Sequence, residues 1–249
     1  MTPIVQRTRS LVERFAATAK HFGSRAALHE LETLALNRAV PVSILRGMTA
    51  VPSDIDPGLF DPGRLSARFV ERHELLTIAG IGELAGELAP SFIRAALAKG
   101  DRCFGLFDGE TLVSFGWYSQ HPTRISDDLV LHFDPAWVYM YKGYTLRRWR
   151  GKRLHGIGMA LAMRAYVDQG ARGLISYVRS NNFESLRSTE RMGYRRFGDI
   201  YLMTLFGHPR TWATPGCAAY QFRVDRATPL VSHDPPEWLG FSASYSVRQ

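Results

Sequence analysis

The chain has 249 residues, of which 45% are hydrophobic and 22% charged, enough apolar length to bury a sizeable core and to exclude global disorder. No stretch reaches the roughly 18 to 20 apolar residues of a membrane-spanning helix, and the start, Met1-Thr2-Pro3-Ile4, lacks the apolar segment of a signal peptide, so the expected location is the cytoplasm. The net charge of +8 is concentrated, because residues 141–200 hold 13 Lys/Arg against 4 Asp/Glu and leave 18 against 19 elsewhere.

In chain order, Val5, Thr8, Val12, Phe15, Ala19 and Phe22 recur at helical spacing, as do Ala27, Leu28, Leu31, Leu34 and Ala35. They predict two amphipathic helices in an N-terminal helical extension, residues 1–60. Apolar stripes of this kind need a partner surface, either the remainder of the chain or a second subunit in a homodimer. Arg7, Arg9, Arg14 and Lys20 leave a membrane-surface role open. Val40 to Thr49 reads as an extra strand and the segment Pro52 to Gly58 as a linker. A second domain is expected over 61–249, with an irregular tail after about 225 that carries Pro229, Pro235 and Pro236.

Within that domain Leu65, Ala67 and Phe69 alternate as a short strand, and Arg72 to Lys99 has helical spacing interrupted by Gly80, Gly82, Gly86 and Pro90. Asp108-Gly109 is a hairpin signal between Arg102–Phe107 and Thr111–Ser119. Leu129 to Thr145 reads as a long apolar and aromatic strand, Ile157 to Gln169 as a helix closed by Gly170, Leu174 to Arg179 as a strand and Phe183 to Met192 as a short helix. Tyr194–Leu205 and Cys217–Val224 are expected to form the last hairpin. Cys103 and Cys217 lack metal-ligand spacing, so neither a metal nor a disulfide is expected.

The run Trp149-Arg150-Gly151-Lys152-Arg153-Leu154-His155-Gly156-Ile157-Gly158 carries the chemistry. A basic, glycine-bearing turn between an apolar strand and a helix points backbone N–H groups and the positive end of the helix dipole at one place, which suits a phosphate anion. Counted from Arg150, the positions of Gly170, Asn182, Ser185 and Gly193-Tyr194 follow one pattern without a gap. That pattern resembles the GCN5-related N-acetyltransferase (GNAT) superfamily: R/Q-x-x-G-x-G/A, a helix ending at Gly, a strand, then N-x-x-A/S-x-x-x-Y-x-x-x-G-F. A second register from Arg153 fits the loop letters better but shortens the helix to Gly170. In the Arg150 register, Arg153 and His155 stand where the family has glycine and glycine or alanine, and Thr189 stands where it has tyrosine. The resemblance spans Arg64 to Val224, with specific letters only from Thr145 to Tyr194.

The resemblance implies an α/β (α+β) fold, a GNAT-like mixed, mostly antiparallel central sheet flanked by helices. It implies an N-acyltransferase that takes an acetyl or other acyl group from acyl-CoA, held between the fourth and fifth strands of the core, to the primary amine of a small molecule. Carried over by position, Thr145 and Arg147 meet the pantetheine arm. The turn Gly151, Lys152, Arg153, Leu154, His155 and Gly156 holds the diphosphate with Arg150, and Asn182 and Ser185 line the far wall. The concentrated charge fits a small polyanion such as coenzyme A; no zinc-finger, RNA-recognition motif or basic tail supports a nucleic-acid partner. A threonine hydroxyl is a poor acid, which directs attention to Tyr139, Tyr141 and His132 as candidate acid–base residues. Two alternatives stand: a protein N-terminal or lysine acetyltransferase, and a non-catalytic acyl-CoA-binding sensor.

Overall fold

A computed structural model describes residues 15–39, 42–205 and 208–227. Residues 15–22 form helix α1 and Ser24–Ala39 helix α2. The earlier part of the first helical stripe, Val5 to Val12, and the proline-bearing tail lie outside the described residues. Strands β1 (Val42–Ala50), β2 (Ser66–Phe69), β3 (Arg102–Asp108) and β4 (Thr111–Ser119) follow, with α3 (Arg72–Ile78) and α4 (Pro90–Lys99) between β2 and β3. Next come β5 (Thr123–Ser126), β6 (Leu129–His132), β7 (Trp137–Thr145), α5 (Leu154–Val167), β8 (Gly173–Arg179), α6 (Phe183–Arg191), β9 (Arg195–Leu205), β10 (His208–Ala213) and β11 (Arg223–Arg226).

Local sequence accounts for most boundaries. Pro90 opens α4 and Gly100, with φ +93°, closes it. The β3–β4 hairpin turns through Gly109-Glu110, and Gly109, at φ +60°, takes the first central position as a type II′ turn requires.

Eight strands form the central sheet in the order β10-β9-β1-β8-β7-β4-β3-β2, and β11-β6-β5 form a second, smaller sheet. Every ladder in the central sheet is antiparallel except β7 with β8. On one face Met48, Val138, Met140 and Leu174 pack against α5 and α6. On the other, Cys103, Phe115 and Trp117 meet Ile93 and Ala96 of α4, and Tyr139, Ile175 and Tyr177 meet Leu131 and Val224 of the small sheet.

Three expectations need correction. The extra strand exists as β1, but it lies inside the sheet, paired on one side with β8 and on the other with β9, so a division at residue 60 cuts through a shared sheet. The long strand over 129–145 is two strands in different sheets. Asp134 turns the chain between them, accepting Ala136 N–H at its side chain and Trp137 N–H at its carbonyl, and Pro135 has no N–H to continue a ladder. Finally, β9 pairs with β10, while Pro215–Tyr220 coil into a 3-10 turn and β11 joins β6.

Candidate active site

The parallel strands β7 and β8 pair only at Trp137 with Gly173, Val138 with Leu174 and Tyr139 with Ile175, and then part. Ser176 bridges the point of divergence, its Oγ donating to the Met140 carbonyl at 2.8 Å. On its other side β7 is bulged: Met140 pairs with Tyr118 and Lys142 with Trp117, leaving Tyr141 as the extra residue. A bulge re-aims main-chain groups, and this one falls where the strands separate. Met140, His155, Ser176, Ser185, Thr189 and Tyr194 line the resulting cleft.

The basic turn lies between the end of β7 and the start of α5. Arg147–Trp149 form a 3-10 turn, Gly151 has φ +77° and Arg153 has φ +59°. Arg153 thus holds the left-handed conformation that favours glycine, at the position where the Arg150 register has the family glycine. An exposed ion pair from Arg153 to Asp56, 2.6 Å, ties down its side chain. The same guanidinium and the Gly58 N–H hold the Asp56 carboxyl below its ordinary pKa. The first bond within α5 runs from Ile157 N–H to the Arg153 carbonyl, so the N–H groups of Leu154, His155 and Gly156 have no carbonyl inside the helix. Arg153 supplies no side-chain cap, and His155, in the first turn of α5, lines the cleft. Leu154 is buried against Leu106 and Val113, which fixes where the helix starts, and Gly156 is buried beside Leu59.

The remaining residues singled out by the sequence divide. Thr145 shares a hydrogen bond with Ser114 Oγ at 2.8 Å, and its carbonyl accepts from Arg150 Nε at 3.3 Å, so Arg150 folds back over the Tyr144 ring. Lys152 is exposed, with its Nζ 4.4 Å from the centre of the Trp149 ring. The Arg147 N–H is not free for a ligand, because the Glu83 carboxylate accepts it at 3.0 Å. Asn182 caps α6, its Oδ1 accepting the Ser185 N–H at 3.1 Å, and Ser185 is buried in the cleft wall. His155 turns its imidazole into the cleft over Gly143, where an added Cβ would sit 2.5 Å from His155 Cε1. Burial pushes that imidazole down to about 4.

None of the three acid–base candidates lines the cleft. Strand alternation turns Met140 toward it and Tyr139 and Tyr141 to the opposite face. Tyr139 is buried between Tyr141 and Tyr177, with ring centroids at 5.8 and 6.2 Å. The Tyr141 hydroxyl donates to Asp101 at 2.8 Å, which also pairs with Lys99 at 3.0 Å, and burial followed by the Asp101 charge raises its pKa well above the ordinary value. His132 belongs to the small sheet, 3.5 Å from Asp225. Thr189, at the family tyrosine position, is buried in the cleft wall, its hydroxyl within hydrogen-bond reach of the Ser185 and Leu186 carbonyls.

The cleft also contains groups that the sequence reading passed over. Ser176 was signalled only as a polar residue in an otherwise apolar strand, and Tyr194 only as the last letter of the motif. The Tyr194 hydroxyl is buried 3.8 Å from Met140 Sδ. Among the described residues there is no group of His, Cys, Asp and Glu arranged to hold a metal ion, and no helix is long and apolar enough to cross a membrane.

No family model matches the chain. A curated relative, the mycothiol acetyltransferase of Corynebacterium efficiens, is 29% identical over 89 residues, which are 36% of this chain and 26% of the relative; the chain thus matches about a quarter of that protein's length. Among solved structures, a GCN5-related N-acetyltransferase-like protein from Streptococcus suis is 15% identical at a TM-score of 0.43, covering 70% of this chain and 66% of its own. A GNAT-family acetyltransferase from Colwellia psychrerythraea is 14% identical at 0.41, covering 79% and 62%. In its largely antiparallel sheet, its splayed parallel pair and its letters from Thr145 to Tyr194, the chain has a GNAT-like fold and resembles the GCN5-related N-acetyltransferase superfamily.

Proposed function

We propose that the protein is an acyl-CoA-dependent N-acyltransferase that passes an acetyl or other acyl group to the primary amine of a small molecule by direct attack in a ternary complex. The observation that carries this reading is the cleft between β7 and β8, lined in part by His155 from the first turn of α5, where the basic turn leads into that helix. The positive end of the α5 dipole receives a diphosphate, and Lys152 and Arg153 add positive charge. Asn182 uses its Oδ1 as a helix cap, which leaves its carboxamide N–H groups for the coenzyme. Main-chain groups of β7 beyond Tyr139, released from β8 and redirected by the bulge, polarise the thioester carbonyl. The small-molecule class of acceptor agrees with the name of the Corynebacterium efficiens relative.

Calorimetric titration with acetyl-CoA tests the donor. Reversing charge with Arg150→Glu and Lys152→Glu together should weaken binding by roughly 10-fold, about 1.4 kcal/mol. A wild-type protein that binds neither acetyl-CoA nor longer acyl-CoAs overturns the reading. A non-catalytic acyl-CoA sensor is the second reading, favoured by the commitment of the Thr189 hydroxyl to helix carbonyls. Release of free CoA in the presence of a panel of primary amines separates the two.

A further inference from the structure

An N-acyl transfer must deliver a proton to the departing sulfur, and the residue at the family position cannot supply it. Thr189 has an alkyl hydroxyl already directed at the Ser185 and Leu186 carbonyls. Tyr194 stands in the same cleft, carried there by the turn that ends α6, and its phenol is intrinsically far more acidic than an alcohol. It is 5% exposed. Its hydroxyl lies 3.8 Å from the sulfur of Met140, the residue at which β7 and β8 part and whose carbonyl Ser176 holds. The hydroxyl therefore sits in the wall of the cleft at the point where the two strands separate.

We propose that the Tyr194 hydroxyl is the acid that protonates the leaving thiolate, an assignment that rests on the N-acyltransferase reading. The amine nitrogen bonds to the thioester carbonyl carbon, and the C–S bond breaks with its electron pair passing to sulfur. The phenolic proton moves to sulfur and gives the free thiol. The proton shed by the amine nitrogen returns to the phenolate through solvent, so the enzyme is restored and no other reactant is consumed.

The test compares the wild type with Tyr194→Phe, which keeps the ring and removes the hydroxyl, using acetyl-CoA and a panel of primary amines. The expected result is a fall in kcat of roughly 100-fold, with the acetyl-CoA Kd changed by less than about twofold. With an acetyl thioester of an aryl thiol, whose sulfur leaves without needing a proton, the two proteins should have kcat/KM values within about threefold. Equal losses with both donors would assign Tyr194 a structural role and overturn the proposal, as would a kcat for Tyr194→Phe within about threefold of the wild type on acetyl-CoA. Should Tyr194→Phe fail to fold, the wild type alone decides: a kcat that depends only weakly on the acidity of the leaving thiol supports an acid, and a steep dependence overturns it. A wild type that neither binds nor consumes acetyl-CoA brings down the N-acyltransferase reading, and this assignment with it.

Discussion

Gly143 and His155 are matched to each other: the bare α-carbon of β7 leaves the room that the imidazole of α5 fills. Gly143→Ala should cost about 1–3 kcal/mol by overpacking, and much of that loss should disappear in a His155→Ala background, where the next contact, Met140 Cε at 3.2 Å, can adjust. Chemical denaturation of the four proteins in a double-mutant cycle measures the coupling. His155 also sets a pH dependence. Its folded-state pKa is near 4, below the unfolded value of about 6.5, so between those values the unfolded chain binds more protons. Stability should therefore be complete above about pH 6.5 and decline on acidification toward pH 4, by on the order of 2 kcal/mol, and His155→Gln should flatten this decline. Thr189→Val keeps the branched shape and deletes a hydroxyl that faces helix carbonyls, so turnover should fall by much less than the roughly 100-fold expected for loss of a working acid. At this scale the sequence was partly legible. The basic turn and Asn182 could be read from their letters, but arginine has no preference for the left-handed region. The Asp56 that ties down Arg153 comes from a distant segment, so nothing local announced the conformation.

The elements with local causes were legible, and their partners were not. Gly109 marks a hairpin and Pro90 a helix start whatever surrounds them. No residue between Val42 and Ala50, however, announces that this strand inserts between β8 and β9. Its burial rises along its length, from half-buried at Val42 to fully buried over Gly47–Ala50, as expected of a strand covered on both faces at one end. A chain beginning at Asp61 would leave β8 and β9 with bare edges and no strand between them, so it should lose cooperative unfolding and, with it, coenzyme binding. A chain beginning at Ser24 keeps the sheet whole. Among the described elements it gives up only α1, whose Phe22 meets Phe183 at 5.7 Å and whose His21 carbonyl accepts from Arg187 at 2.9 Å. Far-UV circular dichroism with urea titration distinguishes the two truncations: a sharp transition in the chain that starts at Asp61 would show that the sheet closes without β1.

Across the whole molecule, the uneven charge acts together with the cleft. Residues 141–200 carry all of the excess positive charge, the remainder being slightly acidic, and they include the end of β7, the basic turn, both helices of the cleft and the start of β9. A field with this distribution draws a polyanion toward the mouth of the cleft and is screened over about 10 Å at 0.1 M salt. Acetyl-CoA affinity should therefore fall steadily as salt is raised, and Lys152→Glu should reduce the slope of that fall in calorimetric titrations. Affinity independent of salt would mean that the bound group is held by its uncharged parts.

The place of β1 also sets an order of events. A ribosome delivers this strand before either of its neighbours, β8 and β9, whose contacts with it include Leu45 to Arg179 and Val42 to Met203. Until those are made, the middle of the sheet has no middle, and Met48 and Ala50, buried in the finished protein, wait in an unfinished chain. Closing so long a loop carries an entropic cost and slows folding. The nascent protein is thus exposed to misassembly until β9 has been made, and a gene rearranged to place residues 42–50 directly after β9 would turn that wait into the closing of a hairpin.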